Sequence, residues 1–180
     1  MAKPAFMVFL IIAVLFVHPF DGVVRWWFAA ALLFGLLGDV ALMLPRERWF
    51  LPGTIVFLVG HLAYIGGFLR IGARLPYAFA GAVVALVLVA AVGPSIIRAL
   101  RSQKSPLLVP VVAYMLVFAV MLALAFGTTR KLIIAGALLF ALSDALLGYY
   151  QFARPLSWGR NANIVLYQAG QAGLALSLAL

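Results

Sequence analysis

Cysteine is absent from this 180-residue chain, and several other reactive side chains are scarce. Without cysteine there is neither a disulfide nor a thiolate for catalysis or metal binding. Two histidines cannot build a three-histidine zinc centre. The three lysines all fall at predicted helix ends, where none can form the Schiff base of a retinal protein. The sequence also lacks a glycine-rich phosphate-binding loop, so we expect no metal and no cofactor.

Charge is scarce as well, since Asp, Glu, Lys and Arg make up only 9% of the residues. Hydrophobic residues make up 67% and the mean hydropathy is +1.20. A soluble domain is only about 45–50% apolar, so this chain needs lipid to cover its apolar surface. The net charge of +9 comes from basic residues scattered between apolar runs, which favours lipid headgroups over nucleic acid as the partner.

Long apolar runs dominate the sequence, and about 20 apolar residues are enough to cross a bilayer core as a helix. Charged residues and prolines separate the runs, and all four tryptophans fall near run ends, as in interfacial aromatic belts. We therefore predict an all-α polytopic transmembrane helix bundle, forming a single domain over residues 1–180. The seven predicted spans are residues 4–20, 26–44, 51–70, 76–97, 106–127, 131–152 and 161–180.

The connections between these spans differ in their content of basic residues. The side that holds the N-terminus carries eight Lys or Arg residues, and the opposite side carries five. Connections rich in Lys and Arg stay preferentially in the cytoplasm. We therefore expect an integral protein of a bacterial inner membrane whose N-terminus is cytoplasmic.

Two of the four acidic residues, Asp39 and Asp144, lie inside apolar runs. Each carboxyl group costs roughly 2.5–3.5 kcal/mol to insert into a bilayer, so such a residue indicates a functional site by default. His61 and Gln171 have a similar predicted depth, roughly 9–15 Å from the helix ends on the N-terminal side. Helical spacing adds three more polar side chains at this level, which are Tyr64, Asn163 and Tyr167.

These polar residues have more than one interpretation. Buried Asp, His, Tyr and Gln side chains can simply join helices by hydrogen bonds, and this is the interpretation we favour for Tyr64 and Asn163. Two carboxyl groups in one apolar pocket can instead divide the roles of acid and base, as in glycoside hydrolysis. Ser143 adjoins Asp144, but neighbours on a helix point about 100° apart, which gives a catalytic triad no support.

A second class of function also accommodates these features. The segments ALLFGLLGD (31–39) and ALLFALSD (137–144) nearly repeat. Seven helices, a parallel three-helix repeat and acidic residues near the midplane also describe a small proton-coupled transporter. Transport is therefore the alternative to catalysis.

Four segments, in this order and spacing, resemble the lysoplasmalogenase family of YhhN-like membrane proteins: GLLGDVALMLP, GHLAYIGGF, GALLFALSDALL and YQAGQ. The resemblance covers nearly the whole chain and implies a lysophospholipid substrate held within the membrane. The implied reaction hydrolyses the vinyl ether bond of lysoplasmalogens, with ethanolamine or choline headgroups, to a fatty aldehyde and a glycerophospho-base. The residues that match the family's motifs are Asp39, His61, Tyr64, Asp144, Tyr167 and Gln171.

The resemblance and the buried acids together suggest a division of roles. Asp144 is expected to protonate the vinyl carbon, and Asp39 to stabilise the oxocarbenium ion and activate water. Water and charge would be positioned by the remaining polar residues, which are His61, Tyr64, Tyr167 and Gln171.

Two arginines lie close to Asp39 in the sequence. Arg46 and Arg48 follow it in the connection after the second span, where they could meet the phosphate of the substrate headgroup. The alternative is that they only make this connection positively charged and so keep it in the cytoplasm.

Overall fold

The computed structural model describes residues 2–18 and 21–179, and every regular element within them is helical. A π-helical turn, Tyr149–Ala153, continues the sixth helix. The all-α bundle of about seven helices is therefore confirmed. The α-helices are α1 (Ala2–Phe16), α2 (Gly22–Met43), α3 (Arg46–Ile71), α4 (Leu75–Ser102), α5 (Leu108–Gly127), α6 (Lys131–Gly148) and α7 (Gly159–Leu176).

Helix length and composition identify the chain as an integral membrane protein. Five stretches are long and apolar enough to cross a bilayer, namely Gly22–Met43, Arg48–Ile71, Leu75–Ser102, Leu108–Gly127 and Lys131–Ala153. The helix α1 is shorter, with 15 residues, and α7 has 18 residues but carries several amide side chains.

Several helices continue beyond the apolar runs of the sequence. The helix α3 begins at Arg46 rather than at residue 51, and α4 continues to Ser102 rather than ending at residue 97. Arg98 and Arg101 are therefore helical residues. Long basic side chains can extend from a helix toward the headgroups, so the helical backbone does not have to stop where the apolar run stops.

Small residues let the helices of the bundle approach closely. The closest neighbours are α2 with α3, α4 with α5, and α6 with α7. A Cβ atom added to Gly136 on α6 would lie 2.7 Å from the backbone nitrogen of Leu174 on α7. A Cβ atom added to Gly170 on α7 would lie equally close, 2.7 Å, to the backbone nitrogen of Phe140. Backbone contact of this kind is typical of small-residue interfaces in membranes.

A polar contact at the start of α2 joins it to the end of α3. The carboxylate of Asp21 accepts hydrogen bonds from the backbone nitrogen of Val23 (2.8 Å) and from Nε of Arg70 (2.6 Å). The Val23 hydrogen bond and, after it, the Arg70 guanidinium hold the pKa of Asp21 below its usual value. This acidic residue therefore has a structural role, in contrast to the two carboxylates at the other end of the bundle.

Candidate active site

A cavity of about 530 Å³ lies among α2, α3, α6 and α7 and has both buried carboxylates in its wall. Its volume is within the range of about 300–1,000 Å³ that is common for small-molecule sites. Most of the other lining is apolar, as a lipid-binding site requires. The polar lining residues are Asp39, Ser143, Asp144, Tyr150, Gln151, Arg160, Asn163 and Tyr167.

Asp144 on α6 receives polar contacts from two other helices. The hydroxyl of Tyr114 on α5 donates a hydrogen bond to Oδ2 of Asp144 over 2.8 Å. Nε2 of His61 on α3 lies 3.0 Å from the same oxygen, an ion-pair distance, although this nitrogen makes no well-aligned hydrogen bond. Both partners therefore meet at Oδ2, which leaves Oδ1 of Asp144 facing neither of them.

His61 is buried, and its ring is held in one orientation. Nδ1 lies 2.8 Å from the carbonyl oxygen of Phe57, one helical turn earlier. Because a carbonyl oxygen can only accept, Nδ1 must carry the proton of this hydrogen bond. The ring also packs against Phe140, with centroids 4.6 Å apart. Nε2 is therefore the nitrogen available to exchange a proton with Asp144.

Asp39 on α2 is 3% exposed and has its partner on α7. The side chain of Tyr167 lies close enough to both Asp39 and Asp144 to interact with them electrostatically. The Tyr167 ring is held edge-on by Phe57 and Phe140, with centroid distances of 6.0 and 5.6 Å. Tyr167 therefore links the two carboxylates of the cavity.

Tyr64 and Gln171 form a polar pair behind this wall. The Tyr64 hydroxyl donates to Oε1 of Gln171 over 2.6 Å, and both side chains are fully buried. Within the described residues, Nε2 of Gln171 has no hydrogen-bond partner. Gly35 leaves room for the side chains of Tyr167 and Gln171. A Cβ atom at this position would lie 3.1 Å from the Tyr167 hydroxyl and 3.6 Å from Nε2 of Gln171.

Ser143 is engaged with Asn163 on α7. Nδ2 of Asn163 donates to the hydroxyl and to the carbonyl oxygen of Ser143, each over 2.8 Å. The Ser143 hydroxyl in turn lies 3.3 Å from the carbonyl oxygen of Asn163. These bonds join α6 to α7, and none of them connects Ser143 to a catalytic base. In the described part of the chain, no group of three His, Asp or Glu side chains is arranged to hold a metal ion.

A narrow apolar cleft of about 60 Å³ lies among α3, α4, α5 and α6. Six residues line both this cleft and the larger cavity, namely Leu42, Phe50, Phe57, Asp144, Leu147 and Gln151. Tyr114 lines the cleft only. Asp144 thus stands where the more polar cavity meets the apolar cleft.

Comparison with known proteins identifies the family, because residues 1–178 match the YhhN family. This chain belongs to the YhhN family. It is 33% identical to a lysoplasmalogenase of Mycobacterium bovis over 185 residues, which cover 94% of this chain and 70% of that protein. It is 32% identical to lysoplasmalogenase TMEM86B of Homo sapiens over 153 residues, which cover 82% of this chain and 61% of that protein. No solved structure matches the chain.

Three of the predicted site residues of this YhhN protein line the cavity, and three lie behind it. The lining residues are Asp39, Asp144 and Tyr167. The interior of the bundle thus has a front layer facing the cavity and a second layer that contacts it. The residues of the second layer are His61, Tyr64 and Gln171.

Of the two arginines predicted to meet the headgroup, only Arg48 has a described side chain, and it is not among the described lining residues. Arg48 is exposed outside the cavity, and the side chain of Arg46 lies outside the described part of the structure. Their role stays a prediction. Among the described residues, the arginine that lines the cavity is Arg160, at the start of α7, together with Tyr150 and Gln151 of the π-helical turn.

Sequence reasoning missed Tyr114 and Arg160. Tyr114 had a detectable signal, because it is the one residue with a hydroxyl, amide or charge in the otherwise apolar helix Leu108–Gly127. Arg160 had none, because nothing in its sequence context separates it from the other basic residues that follow apolar runs. Only the path of the chain through the π-helical turn places it at the cavity.

Proposed function

We propose that this protein is a membrane hydrolase that cleaves the vinyl ether bond of lysoplasmalogens. The relatives that carry the name lysoplasmalogenase support the reaction class. The observation that carries the proposal is the pair of carboxylates, Asp39 and Asp144, in the wall of one cavity within a lipid-facing bundle. The substrates would be alkenyl-glycerophosphoethanolamine and -choline, and the products a fatty aldehyde and a glycerophospho-base.

Protonation of carbon is the first chemical step. A proton moves from the acid to the second carbon of the alkenyl chain, and the electron pair of the double bond forms the new C–H bond. The first carbon becomes an oxocarbenium ion, which a nearby carboxylate stabilises. Water then adds to this carbon and loses a proton to the base. The hemiacetal hydroxyl then gives up its proton as the carbonyl of the aldehyde forms. The bond to the glycerol oxygen breaks in the same step, and this oxygen takes up a proton.

Asp144 is the acid in this scheme. Its Oδ2 faces Tyr114 and His61, so Oδ1 is the oxygen directed to the substrate. Because Nδ1 of His61 holds its proton against the Phe57 carbonyl, the free Nε2 can take up the proton that Asp39 gains from water and pass it to Asp144, which restores both acids after each turnover. His61 thus acts as a proton reservoir that does not itself touch the substrate.

Asp39 is the base and the stabiliser of the positive charge. It lies in the cavity wall, where water can reach it, and Tyr167 holds its carboxylate in place. Since Tyr167 also lies close to Asp144, its hydroxyl can orient a water molecule between the two acids. Tyr64 and Gln171 support this arrangement from behind without contacting the substrate.

The two spaces at Asp144 accommodate the two ends of the substrate. The polar lining of the larger cavity suits the glycerophospho part, and the apolar cleft suits the first carbons of the alkenyl chain. A cleft of about 60 Å³ holds only a few methylene groups, so the rest of the chain continues into lipid. The vinyl ether bond then lies at Asp144, where the two spaces meet.

The test is aldehyde formation by purified protein in detergent, followed by mass spectrometry with an alkenyl-glycerophosphocholine as substrate. Asp144→Asn and Asp39→Asn should each lower turnover by about 10²–10⁴-fold, because each removes a proton-transfer group. Asp21→Asn is the matched control, since it makes the same change at a carboxylate outside the cavity. Unchanged turnover in both folded cavity variants would refute the mechanism.

The assay in detergent also distinguishes an enzyme from a transporter. A micelle has no compartments, so aldehyde formed there requires an enzyme and not a transporter. If intact lysoplasmalogen is recovered from monodisperse protein, and proteoliposomes show uptake driven by a pH gradient, the proton-coupled transporter replaces the hydrolase.

A further inference from the structure

Arg160 is the cationic side chain that lines the cavity within the described residues. The same wall contains Tyr150, which is close enough to Arg160 for electrostatic interaction, and Gln151. No carboxylate lies within ion-pair distance of Arg160 in the described structure. The cavity thus combines two acids with an arginine that neither of them neutralises by direct contact.

A change in helix geometry brings these residues to the cavity. At the end of α6 the backbone adopts a π-helical turn, closed by a 3.1 Å hydrogen bond from the nitrogen of Arg154 to the carbonyl oxygen of Tyr149. Such turns shift the direction of the side chains that follow and are frequent at functional sites. Gly159 lies against the Tyr150 ring, because a Cβ atom there would be 2.9 Å from Cδ1 of Tyr150.

Arg160 and Tyr167 occupy different depths of one face of α7. Arg160, Asn163 and Tyr167 all line the cavity and follow one another at spacings of three and four along α7. Seven residues of helix separate Arg160 from Tyr167, a rise of about 10 Å. Arg160 is exposed at the start of α7, whereas Tyr167 lies deep with Asp39. A ligand that reaches both must present an anion at the mouth and its reactive group inside.

We propose that Arg160 binds the phosphodiester of the lysophospholipid headgroup and so sets the depth at which the vinyl ether bond reaches Asp144. This inference rests on the proposed function. An arginine offers a planar set of donors that matches two phosphate oxygens, and this favours it over a lysine for phosphate recognition. Tyr150 and Gln151 line the same mouth and offer further hydrogen bonds to the glycerophosphate.

The test compares two ligands that differ only in the phosphocholine group, which carries the phosphodiester. The probes are a 1-O-alkyl-glycerophosphocholine, a saturated ether that has no vinyl group to protonate, and the 1-O-alkylglycerol with the same chain. Binding of each to purified protein is measured by calorimetry in detergent. Arg160→Gln should weaken binding of the phosphate-bearing probe about 10-fold and leave binding of the neutral probe within about 2-fold. Arg160→Lys should retain part of the difference.

Matched variants and a competitor distinguish the other outcomes. Arg154→Gln removes an exposed arginine that does not line the cavity and should affect neither probe. Equal weakening of both probes in Arg160→Gln, or a larger effect of Arg48→Gln, would overturn the proposal. Displacement of the lipid probe by equimolar inorganic phosphate would also overturn it, because the site would then bind free phosphate.

Turnover gives a second, independent result. With lysoplasmalogen as substrate, Arg160→Gln should raise KM about 10-fold and change kcat by less than about 2-fold. Because the binding probes cannot react, they test Arg160 even if the wild-type protein forms no aldehyde. Absence of aldehyde would then count against the hydrolase alone, and absence of discrimination between the probes would count against Arg160 alone.

Discussion

At the scale of single residues, contacts in and behind the cavity wall distinguish side chains expected to take part in the reaction from side chains expected only to stabilise the fold. Oδ2 of Asp144 accepts from Tyr114 and faces His61, so helices α3 and α5 both meet α6 at one atom. The hydroxyl of Tyr64, one turn after His61, instead donates to Gln171 of the second layer. The two tyrosines therefore have different expected roles.

Removal of the Tyr114 hydroxyl should slow the reaction without unfolding the protein. In Tyr114→Phe the ring can keep its packing against His61, at 5.1 Å, and Phe118, at 6.4 Å. The lost hydrogen bond to a carboxylate should lower kcat about 10-fold. The pH dependence of kcat should change too, which a purely structural residue would not cause. Unchanged kcat and pH profile, with Tyr77→Phe on exposed α4 surface as the control, would contradict this role.

Removal of the Tyr64 hydroxyl should instead lower the stability of the protein and leave the reaction rate nearly unchanged. Tyr64→Phe leaves Oε1 of Gln171 buried without its donor, which should lower the free energy of unfolding by about 0.5–1.5 kcal/mol. Because Tyr64 does not line the cavity, kcat should stay within about 2-fold of wild type. Denaturant titration in micelles and aldehyde formation measure the two effects. Loss of turnover at unchanged stability would assign Tyr64 to the chemistry.

At the scale of helices, hydropathy predicted how many helices form but not how closely they pack. The apolar runs correspond to the helices because bilayer crossing depends on length and composition, which are local properties. The π-helical turn Tyr149–Ala153 has no comparable local signal, since its shift in hydrogen bonding depends on the packing of Tyr150 against Gly159. The contact of α6 with α7 likewise depends on glycines whose neighbours are remote in sequence.

The contact of α6 with α7 can be tested at one of these glycines. Gly170→Ala places a methyl group 2.7 Å from the backbone nitrogen of Phe140, which no side-chain movement can relieve. We expect a loss of about 1–3 kcal/mol in the free energy of unfolding. Gly93→Ala is the control, because its nearest contact is 3.5 Å and alanine favours helix. Equal stability of the two variants in thermal denaturation would show that α6 and α7 are less closely packed than described.

At the scale of the whole molecule, the cavity is at the end of the bundle that carries more basic residues. Pro4, Leu44 and Arg160 line it, and all three lie near helix ends on the side of the N-terminus. We propose that this side faces the cytoplasm, as the excess of Lys and Arg suggests. The substrate would then enter from the cytoplasmic leaflet.

The orientation is open to a direct test because the natural chain contains no cysteine. Gln103→Cys and Thr129→Cys each place a single thiol at an exposed position, in connections at opposite ends of the bundle. In intact cells, a membrane-impermeant maleimide should label position 129 and reach position 103 only after permeabilisation. The reverse labelling pattern would place the N-terminus and the cavity outside.

The sequence by itself determined the membrane environment, the helix count and the positions of the two buried acids along their apolar helices. These properties follow from hydropathy and from a constant rise per residue, which act along one helix at a time. The tertiary structure alone decided which side chains share an atom or a wall: Tyr114 with Asp144, Tyr167 with Asp39, and Arg160 with the cavity. Such contacts depend on the rotation of each helix about its axis and on its choice of neighbours. Both are set by close packing between segments that are distant in the chain.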